Sequence, residues 1–114
     1  MGDLYAQGKG IARDAQRSVE LYQRACDLGR AGGCADLAGM YARGEGTAKD
    51  AERARKLQQQ ACDGGSGRAC ATLGALYARG EGVDRDRKRA RELYQRACDD
   101  GNRRGCVLLK GLRR

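Results

Sequence analysis

The 114-residue sequence contains no histidine, phenylalanine, tryptophan or proline. Without histidine, the usual base for a catalytic thiol and the usual nitrogen ligand of zinc are both missing. Without Phe or Trp, the common stacking platforms for unpaired bases are missing, which disfavours a nucleic-acid binder. Without proline, the 18 glycines are left to separate the elements, and this favours short helices with glycine caps over strands.

Long apolar runs are absent as well. No segment approaches the roughly 20 residues that span a bilayer, and the stretch MGDLYAQG lacks the basic and apolar regions of a signal peptide. We therefore expect no membrane partner. If the protein is exported, we expect its signal to lie outside these residues.

The net charge is +8, from 23 Lys and Arg against 15 Asp and Glu. Such an excess is compatible with an acidic partner. Basic and acidic residues alternate, however, in segments such as DAERARK and DRDRKRARE. That alternation is typical of solvated helix surface with ion pairs three and four residues apart. The positive net charge by itself is therefore weak support for a nucleic-acid partner, and we expect none.

The sequence repeats with a period of 36 residues, giving units at 1–36, 37–72 and 73–108 and a remainder at 109–114 that we expect to act as a cap. Thirteen columns are identical in all three units, including one tyrosine, three glycine and two cysteine columns. A period of this length is typical of a solenoid, in which each unit buries its apolar face only against its neighbours. The sequence thus predicts one all-α domain over 1–114, an α/α superhelix of about three helix-turn-helix units.

Two helices are expected in each unit. The first, called A, is the segment CADLAGMYARG, which places Cys34, Leu37 and Tyr41 on one face and ends at Gly44. The second, called B, begins after an aspartate that can accept from exposed backbone donors; the three equivalent aspartates are Asp14, Asp50 and Asp86. The link between A and B is short, so the two helices should form an antiparallel hairpin.

The three copies LYAQGKG, MYARGEG and LYARGEG, each followed by a helix ending in RACDLG, QACDGG or RACDDG, resemble the Sel1-like repeat family. The two cysteine columns are most similar to its cysteine-rich branch, typified by secreted Helicobacter proteins. The resemblance implies a right-handed superhelix related to tetratricopeptide repeats. It also implies a non-catalytic module or scaffold that binds a protein or peptide.

Each cysteine near the end of a B helix is eight positions from one near the start of the next A helix; the pairs are Cys26 and Cys34, Cys62 and Cys70, and Cys98 and Cys106. Facing positions at such a junction can form a disulfide without backbone distortion. Zinc is the competing interpretation, but successive pairs lie a full repeat apart and no histidine could complete the ligand set. We therefore expect three disulfides, no metal and no cofactor, and a periplasmic or secreted protein.

An enzymatic alternative comes from the family, because some cysteine-rich members are described as penicillin-binding or β-lactamase-like. A serine enzyme of that kind needs a lysine three residues after its serine. Ser18 is followed by VEL and Ser66 by GRA, so neither serine fits. The sequence therefore favours a protein that is not an enzyme.

The resemblance to tetratricopeptide repeats implies that the A helices line the concave face. That alignment places small residues on the floor, among them Gly32, Ala35, Gly39, Ala42, Ala71, Ala75 and Ala78, and ends with Val107. It adds four arginines, which are Arg43, Arg68, Arg79 and Arg104. Their forked donors suit carboxylates, so we expect a groove for an acidic or C-terminal peptide; plain solvation of these arginines is the alternative.

Overall fold

The computed structural model describes the backbone of residues 2–112 and the side chains of residues 14–112. The described chain forms six α-helices, namely α1 (Gly2–Asp27), α2 (Ala31–Arg43), α3 (Ala51–Asp63), α4 (Gly67–Arg79), α5 (Arg87–Asp99) and α6 (Arg103–Leu112). Helices α2, α4 and α6 are A helices, and α3 and α5 are B helices. Each helix packs on the next in chain order, and α4 also packs on α6. This architecture is the predicted all-α solenoid.

In the hairpins α2–α3 and α4–α5, a repeated glycine ends the first helix and a repeated aspartate begins the second. Gly44 and Gly80 end the two A helices with φ of 69° and 72°, in the left-handed region that glycine adopts without strain. Asp50 and Asp86 then begin the B helices, each accepting at 3.0 Å from the backbone N–H three residues on. The hairpins therefore span Ala31–Asp63 and Gly67–Asp99 and repeat with the predicted period of 36 residues. Each begins six residues before the corresponding predicted unit, 37–72 or 73–108.

The first unit differs from the prediction of two helices. Helix α1 continues from Gly2 to Asp27, so Asp14 lies inside a helix and does not cap one. Glycine accepts helical φ as readily as positive φ, and an unbroken helix keeps its backbone hydrogen bonds. In the other two units an Arg and a Glu form an ion pair across the turn, Arg43 with Glu45 and Arg79 with Glu81. The first unit has Gln7 and Lys9 at those positions and cannot form this pair.

The core is built from small residues. Leu37, Leu73, Ala61 and Ala69 are fully buried where consecutive helices meet. A second cluster gathers around Tyr94, with Ala90 and Leu109 buried beside it. Alanine and cysteine supply most of the buried side chains, and no charged side chain is buried among the described residues.

Candidate functional site: the groove between helices α2 and α4

The six cysteines form three disulfides, Cys26–Cys34, Cys62–Cys70 and Cys98–Cys106. Their Cα atoms are 4.5 to 4.6 Å apart, closer than the commonest separation of about 5.5 Å but within the usual range. Each bond joins the last turn of one helix to the first turn of the next A helix. The disulfides therefore hold successive hairpins together at their junctions, and two of them lie at the starts of α2 and α4.

A groove with a volume of about 390 Å³ lies between α2 and α4. We call it the central groove. Its floor on α2 consists of Ala35, Gly39 and Ala42, and Gln58 of α3 lies below the gap between the A helices. Helix α4 supplies Thr72. Small residues expected on the α2 side line the groove, but Ala71 and Ala75 of α4 do not, and Thr72 is the small residue that α4 supplies.

Two of the four predicted arginines, Arg43 and Arg68, line the central groove together. Arg43 lies over Gly39 and donates from Nε to Glu45 at 2.8 Å. Arg68 donates from Nη2 to Asp36 at 2.8 Å, which links α4 to α2 across the groove. Both ion pairs are largely exposed to solvent, so an incoming carboxylate can compete for either arginine at low cost.

The other two arginines, Arg79 and Arg104, are the repeat equivalents of Arg43 and Arg68. They lie near Tyr94 at the junction of α4, α5 and α6. Burial raises the pKa of the Tyr94 hydroxyl above its ordinary value of 10.0, and the positive charges of Arg79 and Arg104 offset part of that rise. The structure therefore divides the predicted set of four into two equivalent pairs, and a groove is open at the first pair.

The remaining candidates have structural roles. Ser66, considered as a possible nucleophile, accepts from the backbone N–H of Ala69 at 3.2 Å and caps α4. Tyr41 and Tyr77 are half-buried, with Arg53 and Arg89 over their rings; Tyr5 lies outside the described side chains. Within residues 14–112, no group of His, Cys, Asp and Glu is arranged to hold a metal ion. None of the described helices is both long and apolar enough to cross a bilayer.

Stacked helix hairpins, joined by disulfides and open along one face, define an α/α solenoid of the kind built from short helical repeats. The chain belongs to the Sel1 repeat family, whose model matches residues 1–29, 31–66 and 67–102. Curated protein sequences give no significant match. The disulfides are typical of proteins from an oxidising compartment outside the cytoplasm.

Solved structures of Sel1 repeat proteins share the fold. A Sel1 repeat protein from Oxalobacter formigenes is 29% identical with a TM-score of 0.81, over 95% of this chain and 44% of that one. The protein c5321, a protective antigen present in uropathogenic Escherichia coli strains, is 29% identical with a TM-score of 0.80, over 97% of this chain and 24% of its own. Helicobacter pylori cysteine-rich protein B is 22% identical with a TM-score of 0.76, over 94% of this chain and 95% of that one. This chain thus spans less than half the length of the first two.

Proposed function

We propose that the protein is a non-catalytic, disulfide-stabilised interaction module, periplasmic or secreted, whose central groove binds an acidic or C-terminal peptide segment of a protein partner. The observation that carries this proposal is that Arg43 of α2 and Arg68 of α4 both line a groove whose floor consists of small residues. Small residues leave room for an extended chain. The two guanidinium groups offer charge-assisted hydrogen bonds to its carboxylates.

The shape of the groove supports a peptide better than a small substrate. The floor of Ala35, Gly39 and Ala42 offers no nucleophile or general base, and the arginines are placed to bind an anion without reacting with it. Asp36 and Glu45 already occupy the two arginines in the free protein. A partner carboxylate would compete with these internal ligands, which remain beside the groove as negative charges and moderate the affinity.

The test is selection from a library of random dodecapeptides with free C termini, using the oxidised protein. Selected peptides should be rich in Asp, Glu or a required terminal carboxylate. Because each charge-assisted hydrogen bond is worth about 1.5–3 kcal/mol, Arg43→Ala with Arg68→Ala should weaken their binding at least about tenfold.

The matched control removes two exposed arginines outside the central groove, by Arg91→Ala with Arg103→Ala, and keeps the net charge equal to that of the groove variant. It should change the affinity less than about twofold at physiological salt. Equal binding by the groove variant and the unsubstituted protein would contradict the proposed groove. Equal losses in both double variants would mean that only net charge matters.

A further inference from the structure

A second cavity, with a volume of about 610 Å³, adjoins the central groove. We call it the Gln58 pocket. Its walls are largely apolar, formed by Ala42, Ala54 and Leu76 with Thr72 beside them. Arg55 and Gln58 of α3 line it, and so do the carboxylates Glu52 and Glu81. It shares Ala42, Gln58 and Thr72 with the central groove, so one bound chain can reach both.

Two polar atoms at the Gln58 pocket are buried without a hydrogen-bond partner among the described residues: Nε of Arg55 and Oε1 of Gln58. The first is a donor and the second an acceptor. A buried polar atom without a partner destabilises a fold, and most such atoms in proteins are hydrogen-bonded. Both atoms are hidden from solvent, so one unused donor and one unused acceptor lie just behind the pocket surface, on two side chains that line it.

The next junction along the chain has the same residue positions, but apolar side chains pack together there. One repeat later, Ala42, Ala54, Gln58, Thr72 and Leu76 become Ala78, Ala90, Tyr94, Leu108 and Leu112. Those five residues form one apolar cluster, in which Tyr94 is only 3% exposed. Helix α4 packs on α6 there, while α2 and α4 stand apart over Gln58. A tyrosine thus fills, in the later junction, the space that is open in the earlier one.

A glycine makes room for that tyrosine. A Cβ atom on Gly74 would lie 2.7 Å from Cε1 of Tyr94, well inside van der Waals contact. The equivalent pair in the earlier junction is Ala38 and Gln58. In the later junction Gly74 is combined with Tyr94, whose ring fills the space. In the earlier junction Ala38 is combined with Gln58, and the space is open.

We infer that the Gln58 pocket binds a tyrosine side chain of the peptide that occupies the central groove, an inference that rests on the proposed function. An aromatic ring matches the apolar walls, as Tyr94 does one repeat later. A phenol hydroxyl both donates and accepts, so it can satisfy Gln58 Oε1 and Arg55 Nε together once a small side-chain rotation turns these atoms towards the pocket. A carboxylate only accepts and leaves Gln58 without a partner, and an aliphatic side chain leaves both atoms without one.

The experiment uses the peptides selected from the dodecapeptide library. We expect a tyrosine at a fixed distance from the acidic residue or C terminus, and synthetic peptides with Tyr→Phe should bind about tenfold more weakly. The protein variant is Ala38→Gly with Gln58→Tyr, which copies the Gly74 and Tyr94 combination and fills the pocket; it should also bind about tenfold more weakly. Ala38→Gly alone leaves the pocket open and should retain binding, as should Gln95→Tyr outside the pocket.

The outcomes separate the pocket from the groove. Peptides that share no tyrosine, or that bind the filled variant as tightly as the unsubstituted protein, would overturn the pocket while leaving the groove intact. A shared Asn or Gln in place of tyrosine would overturn the assignment of a phenol. Failure to select any peptide would overturn the proposed function and this inference with it. Unchanged disulfides and helix content in each variant exclude misfolding as the cause of lost binding.

Discussion

Arg68 at the start of α4 donates to Asp36 on α2 at 2.8 Å, across the mouth of the central groove. One repeat later the arginine is kept as Arg104, but Asp36 is replaced by Thr72. Within the described residues Arg104 has no carboxylate partner. The central groove thus carries its own internal ligand for an arginine that the proposed partner would need.

Removal of that internal ligand should strengthen binding. Asp36→Asn frees Arg68 and removes a negative charge from the groove, so the affinity for acidic peptides should rise about two- to fivefold. The ion pair is exposed, and the free energy of unfolding should change by less than about 0.5 kcal/mol. Glu92→Gln on α5, outside the groove, is the control. Titration calorimetry that gave unchanged or weaker binding for Asp36→Asn would contradict a role for Arg68 in binding carboxylates.

Gly74→Ala should destabilise the protein although alanine favours helices. The new methyl group would lie 2.7 Å from the Tyr94 ring, and overpacking of this kind costs about 1–3 kcal/mol. Gly32→Ala, where a Cβ would have no neighbour within 4 Å, should stabilise α2 by up to about 1 kcal/mol. Urea unfolding measures both effects. Equal stabilisation by the two substitutions would show that Tyr94 does not pack against Gly74.

Loss of the central disulfide should cost about 2.5 kcal/mol. Cys62 and Cys70 are fully buried, and their bond closes a short loop with a sequence separation of 8. By the chain-entropy relation, a loop of that size stabilises the fold by roughly 2.5 kcal/mol. Cys62→Ala with Cys70→Ala should therefore lower the free energy of unfolding by about that amount in urea. A change below about 1 kcal/mol would show that packing, and not the crosslink, holds α3 to α4.

Alkaline pH should weaken the fold through Tyr94. Because burial raises its folded pKa above the ordinary 10.0, the unfolded chain loses this proton first as pH rises. The contribution of the Tyr94 hydroxyl to the free energy of unfolding is therefore complete below about pH 10. It is lost as the pH rises from there through the pKa of the folded state. Tyr94→Phe should be less sensitive to pH over that range. The measurement is urea unfolding between pH 9 and 11, about one unit either side of the ordinary tyrosine pKa. Parallel losses of stability in the unsubstituted protein and in Tyr94→Phe would contradict the burial of the hydroxyl.

The fold and the cysteine pairs could be predicted because both follow from the 36-residue period. A repeat fixes which residues face which neighbours, and Asp50 and Asp86 cap helices as their positions indicate. The continuous helix α1 was missed because Gly8 and Gly10 permit a helix as well as a turn. The Gln58 pocket was missed for another reason. Gln58 stands out in the sequence because Tyr22 and Tyr94 occupy the equivalent positions, but the open space also depends on the separation of α2 from α4.

The disulfide pattern is the basis of the scaffold, because two of the three bonds hold the first turns of α2 and α4, the helices on either side of the central groove. Alkylation of the oxidised protein before and after reduction, followed by peptide mapping, tests it most directly. We expect that none of the 6 cysteines is alkylated before reduction and that all are alkylated after it, with peptides linked as Cys26–Cys34, Cys62–Cys70 and Cys98–Cys106. Free thiols in a stably folded protein, or links between different pairs, would contradict it.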